Sequence, residues 1–362
     1  MPMIIPFFIM NRGCPHRCLF CNEHLTAGDR PEQITEAAFG QTVRGYLDCA
    51  ARKGGPAQIA FYGGTFTGMA HEEQRRLLGL AAPFLRTGEV DSVRISTRPD
   101  EISREDLSLL KASGVTTIEV GTQSLDDEVL LRSRRGHTAA DTLRALTLLR
   151  EGKFTTGLHL MTGLPGDSRG RFAQTVEKVI ALRPDMVRIH PTIVLKGTPL
   201  ADLFREGNYR PLTLAEALEQ GKDALKRLTA AGIPVIRLGL QTTRELEEPG
   251  AVVAGPFHPA FRTLVESALL REMAASLLSA AGPAGRKAAF TLAPADLPSF
   301  PGQRRGNIAA LTESFHLTDI RFTADPALPR LTLILTAGGR TLRTDASGGI
   351  SENGTEDLHA AG

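Results

Sequence analysis

Cysteine is scarce in this 362-residue chain, long apolar runs are missing, and neither sign of charge is in marked excess. Only four cysteines are present, and three of them, Cys14, Cys18 and Cys21, fall within GCPHRCLFCN near the start. The opening MPMIIPFFIM is apolar but well short of the roughly 20 residues that span a bilayer. No basic flank or small-residue cleavage site marks it as a signal peptide, and no later stretch is long and apolar enough to cross a membrane. The expectation is a cytoplasmic protein with no membrane association. Its thiols are then reduced, which argues against disulfides and for ligation of a metal or cluster. A formal net charge of +2 announces no nucleic-acid binder, although it excludes no local basic patch. With 42% hydrophobic and 23% charged residues, the chain has enough length for one large domain and a small one.

Residues 1 to about 245 alternate between two periodicities. Short β-rich runs at 4–10, 57–63, 92–97, 116–121, 155–161 and 185–191 predict strands, with a seventh candidate at 234–240. Helical patterns occupy 32–52, 70–86, 103–112, 138–151, 168–182 and 213–231. Strands separated by helices of this length predict parallel β-α units. Six or seven in succession predict an α/β barrel, open or closed, with a doubly wound open sheet as the alternative. Glycine and polar residues gather after the strands: GCPHRCLFC, YGGTF, TRPD, GTQS, TGLPGD and HPT follow strands one to six. In barrels of this kind the site lies at the C-terminal ends of the strands, so these loops are expected to surround one pocket.

Three clustered thiols suit zinc or an iron–sulfur cluster. A structural zinc normally takes four ligands, and Cys49 sits within a helical pattern as an ordinary buried residue. His16 is the nearest fourth donor for zinc. A cubane [4Fe–4S] cluster held by three cysteines leaves one iron open to a small molecule, which suits chemistry at the cluster.

The C-x3-C-x2-C loop resembles the cluster loop of radical S-adenosylmethionine (SAM) enzymes. That resemblance implies a partial (β/α)6 barrel in which Cys14, Cys18 and Cys21 hold a [4Fe–4S] cluster. SAM chelates the open iron and is cleaved reductively to a 5′-deoxyadenosyl radical. It further implies SAM contacts from the loop Gly63, Gly64 and Thr65, from Ser96 where the family often has Glu, and from Gln123. Arg135 would pair with the SAM carboxylate, and His159 stands where some relatives carry Asp. The turn from Gly163 to Gly166 would shape the adenine side. An electron donor such as flavodoxin or ferredoxin is implied as well.

TRPD, IEVGTQSLDDEVL, RGHT, MTGLPGD, HPTIVLKGTPL and YRPLT are similar to the radical SAM domain of the Elongator catalytic subunit, over about residues 1 to 230. This implies an RNA substrate, with tRNA foremost, and places His190, Thr192 and Lys196 toward it. Two features depart from that family: the cysteine spacing is shorter, and no acetyltransferase domain follows. The sequence thus looks like an Elongator-like side branch.

Residues 246–285 read as a Pro- and Gly-rich connector and a helix, 286–337 as a small α/β domain, and 338–362 as a flexible tail. FPGQRRGNIAAL places Gly302 and Ile308 at the separation found in KH domains, with Arg304 and Arg305 able to meet phosphates. The plain alternative is a small α/β cap with a basic loop. Two rival functions remain open: a radical SAM oxidoreductase acting on a small molecule such as a porphyrinogen, and a non-enzymatic RNA-binding protein with a structural metal.

Overall fold

A computed structural model describes residues 2–28, 33–50, 55–282 and 287–352. The chain divides into two compact units, Met1–Leu214 with Leu240–Pro259, and Ala215–Gly239 with Ala260–Gly362. Among the described residues no helix is long and apolar enough to cross a membrane.

The first unit is built on the parallel strands β1 (Met3–Phe8), β2 (Ala57–Tyr62), β3 (Ser92–Thr97), β4 (Val115–Gln123), β5 (Thr155–Thr162) and β6 (Met186–Pro191). Each pairs in parallel with the next in chain order, as in Met3↔Ala57, Gln58↔Ser92, Ile118↔Thr156 and Gly157↔Met186. The expected α/β architecture is therefore present. A parallel strand covered on both faces reads as an apolar run, and AQIAFY of β2 is buried at five of its six positions.

Helices α1 (Glu23–Ala27) and α2 (Glu36–Ala50) follow β1. Then come α3 (His71–Arg86), α4 (Arg104–Ala112), α5 (Asp127–Arg132), α6 (Ala139–Glu151), α7 (Arg169–Leu182) and, after β7 (Val194–Leu195), α8 (Pro199–Arg205). Capping boxes start two of them: Ser103 with Asp106 at α4, and Thr138 with Asp141 at α6. Each satisfies two otherwise orphan amides. Phe39 of α2 stacks on Phe7 of β1 at 4.1 Å between ring centroids, and Phe61 and Phe84 extend the cluster.

Cys49 is exposed, not buried as its helical setting suggested. On α2 the buried face is set by Phe39 and Val43, four residues apart. Six residues beyond Val43, Cys49 falls about 100° round the helix from that face, past its edge.

The second unit contains α9 (Leu214–Ala230), β8 (Val235–Leu238), α10 (Phe261–Ala281) and a five-stranded sheet; β9 (Val252–Ala254) belongs to the first unit. Within this unit α9 and β8 group with α10. A Cβ on Gly221 of α9 would meet Val265 at 3.2 Å, and Lys222 and Lys226 both reach Glu272. The expected connector is also partly ordered: β9 pairs antiparallel with β7, Val194 opposite Ala254.

The five-stranded sheet has the order β11-β10-β12-β13-β14, from β10 (Lys287–Leu292), β11 (Asp319–Ala324), β12 (Thr332–Ala337), β13 (Arg340–Asp345) and β14 (Ile350–Glu352). The flexible tail expected from 338 therefore begins too early. Gly338 and Gly339, at φ +58° and +80°, make a two-residue turn that brings Arg340 opposite Ala337. Residues 353–362 lie outside the described ones. Where a KH reading calls for a first helix, the chain makes only a 3₁₀ turn, Pro294–Asp296. Pro294, Pro298 and Pro301 deny that stretch a helical ladder. Helix α11 (Gly306–Ser314) then follows.

Candidate functional site

The loop carrying the three cysteines leaves β1 through two left-handed residues, Met10 at φ +34° and Asn11 at φ +56°. Its backbone lies directly against the loop that follows β2. Thr65 N donates to Arg12 O at 2.7 Å, and a Cβ on Gly64 would stand 2.4 Å from the same oxygen. Gly63 and Gly64 have φ +74° and +57°, so this turn depends on glycine twice over, for conformation and for room. Gly13 meets the same loop from the other side, its absent Cβ 2.2 Å from Thr65 O.

The thiols are separately engaged. Cys14 Sγ lies 3.3 Å from the hydroxyl of Thr65, which is fully buried. Cys18 is buried and its sulfur accepts from Arg135 Nη1 at 3.3 Å. Cys21 is exposed and lies 3.9 Å from Asn11 Oδ1. Burial raises the Cys14 thiol pKa, the Thr65 contact and Arg135 lower it, and the charges of Glu23 and Cys18 raise it further. Burial first, then Glu23, Cys18 and Cys14, raises Cys21 too, against a lowering by Arg135. The three thiols are close enough to feel one another, yet among the described residues no three Cys, His, Asp or Glu side chains converge as ligands of one ion. A lone ion needs donors that meet at a point, whereas a cluster offers a separate iron to each thiolate.

Arg135 is the residue that joins the cysteine loop to the sheet. It is 7% exposed, and its second terminal nitrogen donates to Gly121 O at 2.8 Å. Gly121 permits this approach, since a Cβ there would stand 2.7 Å from that nitrogen and 3.2 Å from Gln123 Nε2. Gln123 ends β4 at φ +64° and is 6% exposed. Its Oε1, Arg135 Nε and the Thr192 hydroxyl are shielded from solvent without a partner. Such groups are costly unless something meets them, and they fit a polar ligand at this end of the sheet.

Along the inner face lies His159 of β5, its ring edge-on to His190 of β6 at 4.3 Å. Its Nε2 is shielded and unpartnered. Burial first, then Arg188 and Arg135, lowers its pKa to about 3, so the ring is neutral at pH 7. Two residues earlier on these strands is a buried ionic network. Glu119 of β4 pairs with Arg94 of β3 at 2.7 Å and with Arg188 of β6 at 2.5 Å. Arg94 also donates to Gln58, and Arg188 to the hydroxyl of Tyr62, both at 2.7 Å. Gly157 makes room for this network, its absent Cβ 3.1 Å from Glu119.

Of the residues expected at the site, the structure links Cys14, Cys18, Cys21, Gly63, Gly64, Thr65, Gln123 and Arg135, and brings His159 to His190. Ser96 is half-buried and its hydroxyl reaches Phe61 O at 3.5 Å. Lys196 is exposed; its carbonyl, not its ammonium, meets the cysteine loop, accepting from Asn22 at 2.8 Å. His16 is exposed, and its ring lies against Gly136. The Gly163–Gly166 turn lines a cavity of about 400 Å³ with Asp167, Leu203, Tyr209 and Leu212. Its polar groups are engaged internally: Tyr209 donates to Gly163 O, and Asp167 accepts from Gly163 N and Ser168 N. Arg304 and Arg305 belong to the second unit, exposed at φ +51° and +61° before α11.

Sequence reasoning missed Glu23, Gly121 and the Glu119 network. Glu23 Oε1 accepts from Gly64 N at 2.6 Å, and its other oxygen accepts from Asn11 N. One acidic residue and two arginines on apolar β-runs, Glu119 in TTIEVG, Arg94 in SVRIST and Arg188 in MVRIHP, were the available signal for the network.

Comparison with known proteins agrees with this geometry. The family model of the Radical SAM superfamily matches residues 8–179, and that of the Radical_SAM C-terminal domain matches 184–271. A tRNA uridine(34) acetyltransferase of Methanocaldococcus infernus is 30% identical over 245 residues, 57% of this chain and 46% of the relative. The chain spans about half the length of the curated relatives it matches first. The heme chaperone HemW of Bacillus subtilis is 24% identical over 226 residues, 61% of this chain and 59% of its own. Among solved structures, the archaeal Methanocaldococcus infernus Elp3 with its N-terminus deleted superposes with a TM-score of 0.57 at 22% identity, covering 75% of this chain and 64% of that one. That likeness is one of fold.

Proposed function

Because the chain belongs to the radical SAM superfamily, we propose that it holds a [4Fe–4S] cluster on Cys14, Cys18 and Cys21 and cleaves SAM reductively to modify an RNA, with tRNA as the substrate class. The observation that carries this reading is the set of three thiols on one loop, with the Arg135 guanidinium spanning from Cys18 to Gly121. Held on Cys14, Cys18 and Cys21, such a cluster would supply the electron for reductive cleavage of SAM.

The chain's own residues do the positioning. Arg135 balances thiolate charge and offers its unpartnered Nε edge to a carboxylate, a role suited to a planar guanidinium. The Gly63–Gly64 turn lets ligand and backbone come close. Gln123 and Thr192 present unpartnered oxygens to ligand donors. His159, held neutral, can accept or donate one hydrogen bond without adding charge.

The tRNA part rests on what the acetyltransferase relatives are named for, and the activity of the longer relatives is proposed here only in its radical half. A porphyrin-type small molecule is the second reading, favoured by the similarity to HemW. Anaerobic reconstitution should give about four irons and four sulfides per chain. Dithionite and SAM should then give 5′-deoxyadenosine, and Cys18→Ala should lose both. Uptake of zinc with no iron overturns the proposal. Bound tRNA, as against bound porphyrin, separates the two substrate readings.

A further inference from the structure

Glu23 lies two residues past the last cysteine, at the start of α1. Its carboxylate faces back across the loop it follows. One oxygen accepts from Gly64 N at 2.6 Å and the other from Asn11 N. It therefore joins three points: the left-handed start of the cysteine loop, its end, and the glycine turn after β2. A Cβ on Gly63 would stand 3.3 Å from the same carboxylate. Left-handed conformations at non-glycine residues are strained and persist only when their surroundings hold them. Met10 and Asn11 are two in a row, and the Asn11 amide is one of the groups Glu23 holds. The adjacent Asn22 side chain anchors the same segment to Lys196 O and caps Leu25 N.

We propose that Glu23 is a positioning residue that ties the cysteine loop shut, and that its fixed negative charge lowers the reduction potential of the cluster the loop carries. The charge is placed by geometry: Glu23 follows Cys21 by two residues, and its carboxylate is held across the loop by the Asn11 and Gly64 amides. A negative charge beside a redox centre opposes the arrival of an electron. The electrostatic half rests on the cluster reading above; the tether does not.

Two variants separate the halves. Glu23→Gln keeps the length but removes the charge, and it turns an NH₂ group toward one of the two amides. Glu23→Asp keeps the charge but shortens the reach. In the iron-free protein, hydrogen exchange at the Asn11 and Gly64 amides should quicken at least about tenfold in both variants, with the melting transition retained. In the reconstituted protein, a redox titration followed by electron paramagnetic resonance should show Glu23→Gln easier to reduce. The expected change is about tenfold in the reduction equilibrium, ~59 mV for one electron. Glu23→Asp should stay near the parent. Unchanged exchange in both variants overturns the tether. A loaded cluster whose potential is the same in Glu23→Gln overturns the electrostatic role. A parent protein that takes up no iron overturns the proposed function and this electrostatic role together, and the exchange measurement still decides the tether.

Discussion

Adding one methyl group at Gly121 is a sharp way to test how Arg135 is held. The new Cβ would stand 2.7 Å from an Arg135 terminal nitrogen, where carbon contacts settle near 3.5–4.0 Å. Gly121 carries no left-handed φ, so alanine is free of backbone strain there and the guanidinium must yield. A retreat of roughly 1 Å takes the 2.8 Å bond to Gly121 O beyond hydrogen-bonding reach and disturbs the contact with Cys18. A hydrogen bond from a charged group contributes ~1.5–3 kcal/mol. SAM affinity of the iron-loaded Gly121→Ala protein should therefore fall roughly 10- to 100-fold by equilibrium dialysis, and thermal stability should fall too, because a partly buried hydrogen bond within the protein is lost. The second arm is a double-mutant cycle. If the methyl acts only through the guanidinium, Gly121→Ala should cost nothing further in an Arg135→Gln background, within about 0.5 kcal/mol. An undiminished loss in that background, or no loss in the parent, refutes the reasoning.

Glu119→Ala leaves Arg94 buried and Arg188 largely so without their carboxylate, and should destabilise the fold by ~3–5 kcal/mol in urea titrations; a loss under about 1 kcal/mol would show that the arginines find other partners. His159, depressed to about 3 by burial, binds fewer protons folded than unfolded between about pH 3 and the unperturbed ~6.5. Its contribution to stability is therefore complete above pH ~6.5 and is lost as pH falls toward 3. His159→Asn should flatten the acid side of the stability profile, and the His159 ring should show no titration by NMR between pH 5 and 8.

Much of this architecture is visible in the sequence because parallel strands announce themselves. IAFYG, VRIST and VRIHP are apolar runs with glycine or polar residues after them, and β1 to β6 all form where such runs occur. The missed elements are short or poorly patterned. Helices α1, α5 and α8 have five, six and seven residues, too few to display a helical period. In β13 the residues with buried side chains are Leu342 and Thr344, so its alternation is faint and only the Gly338–Gly339 turn betrays it. Motif residues such as Arg135 and Gln123 were legible from their place in VGTQS and RRGHT. Glu23 was not, because its partners are main-chain amides, and a sequence says nothing direct about which side chain an amide will meet.

The ionic network inside the first unit has a further consequence. Glu119 reaches Arg94 and Arg188, and Arg188 reaches Tyr62, so one set of short polar links ties β4 to β3, to β6 and to β2. An aliphatic filling would set the spacing of these strands by volume, and would tolerate repacking. Linked charges instead set it by length, as the spokes of a wheel fix its rim. The bore of the sheet just below His159 and His190 is then a gauge written in side-chain reach. Shortening or lengthening one spoke would shift the strands beneath the His159–His190 pair without touching either ring.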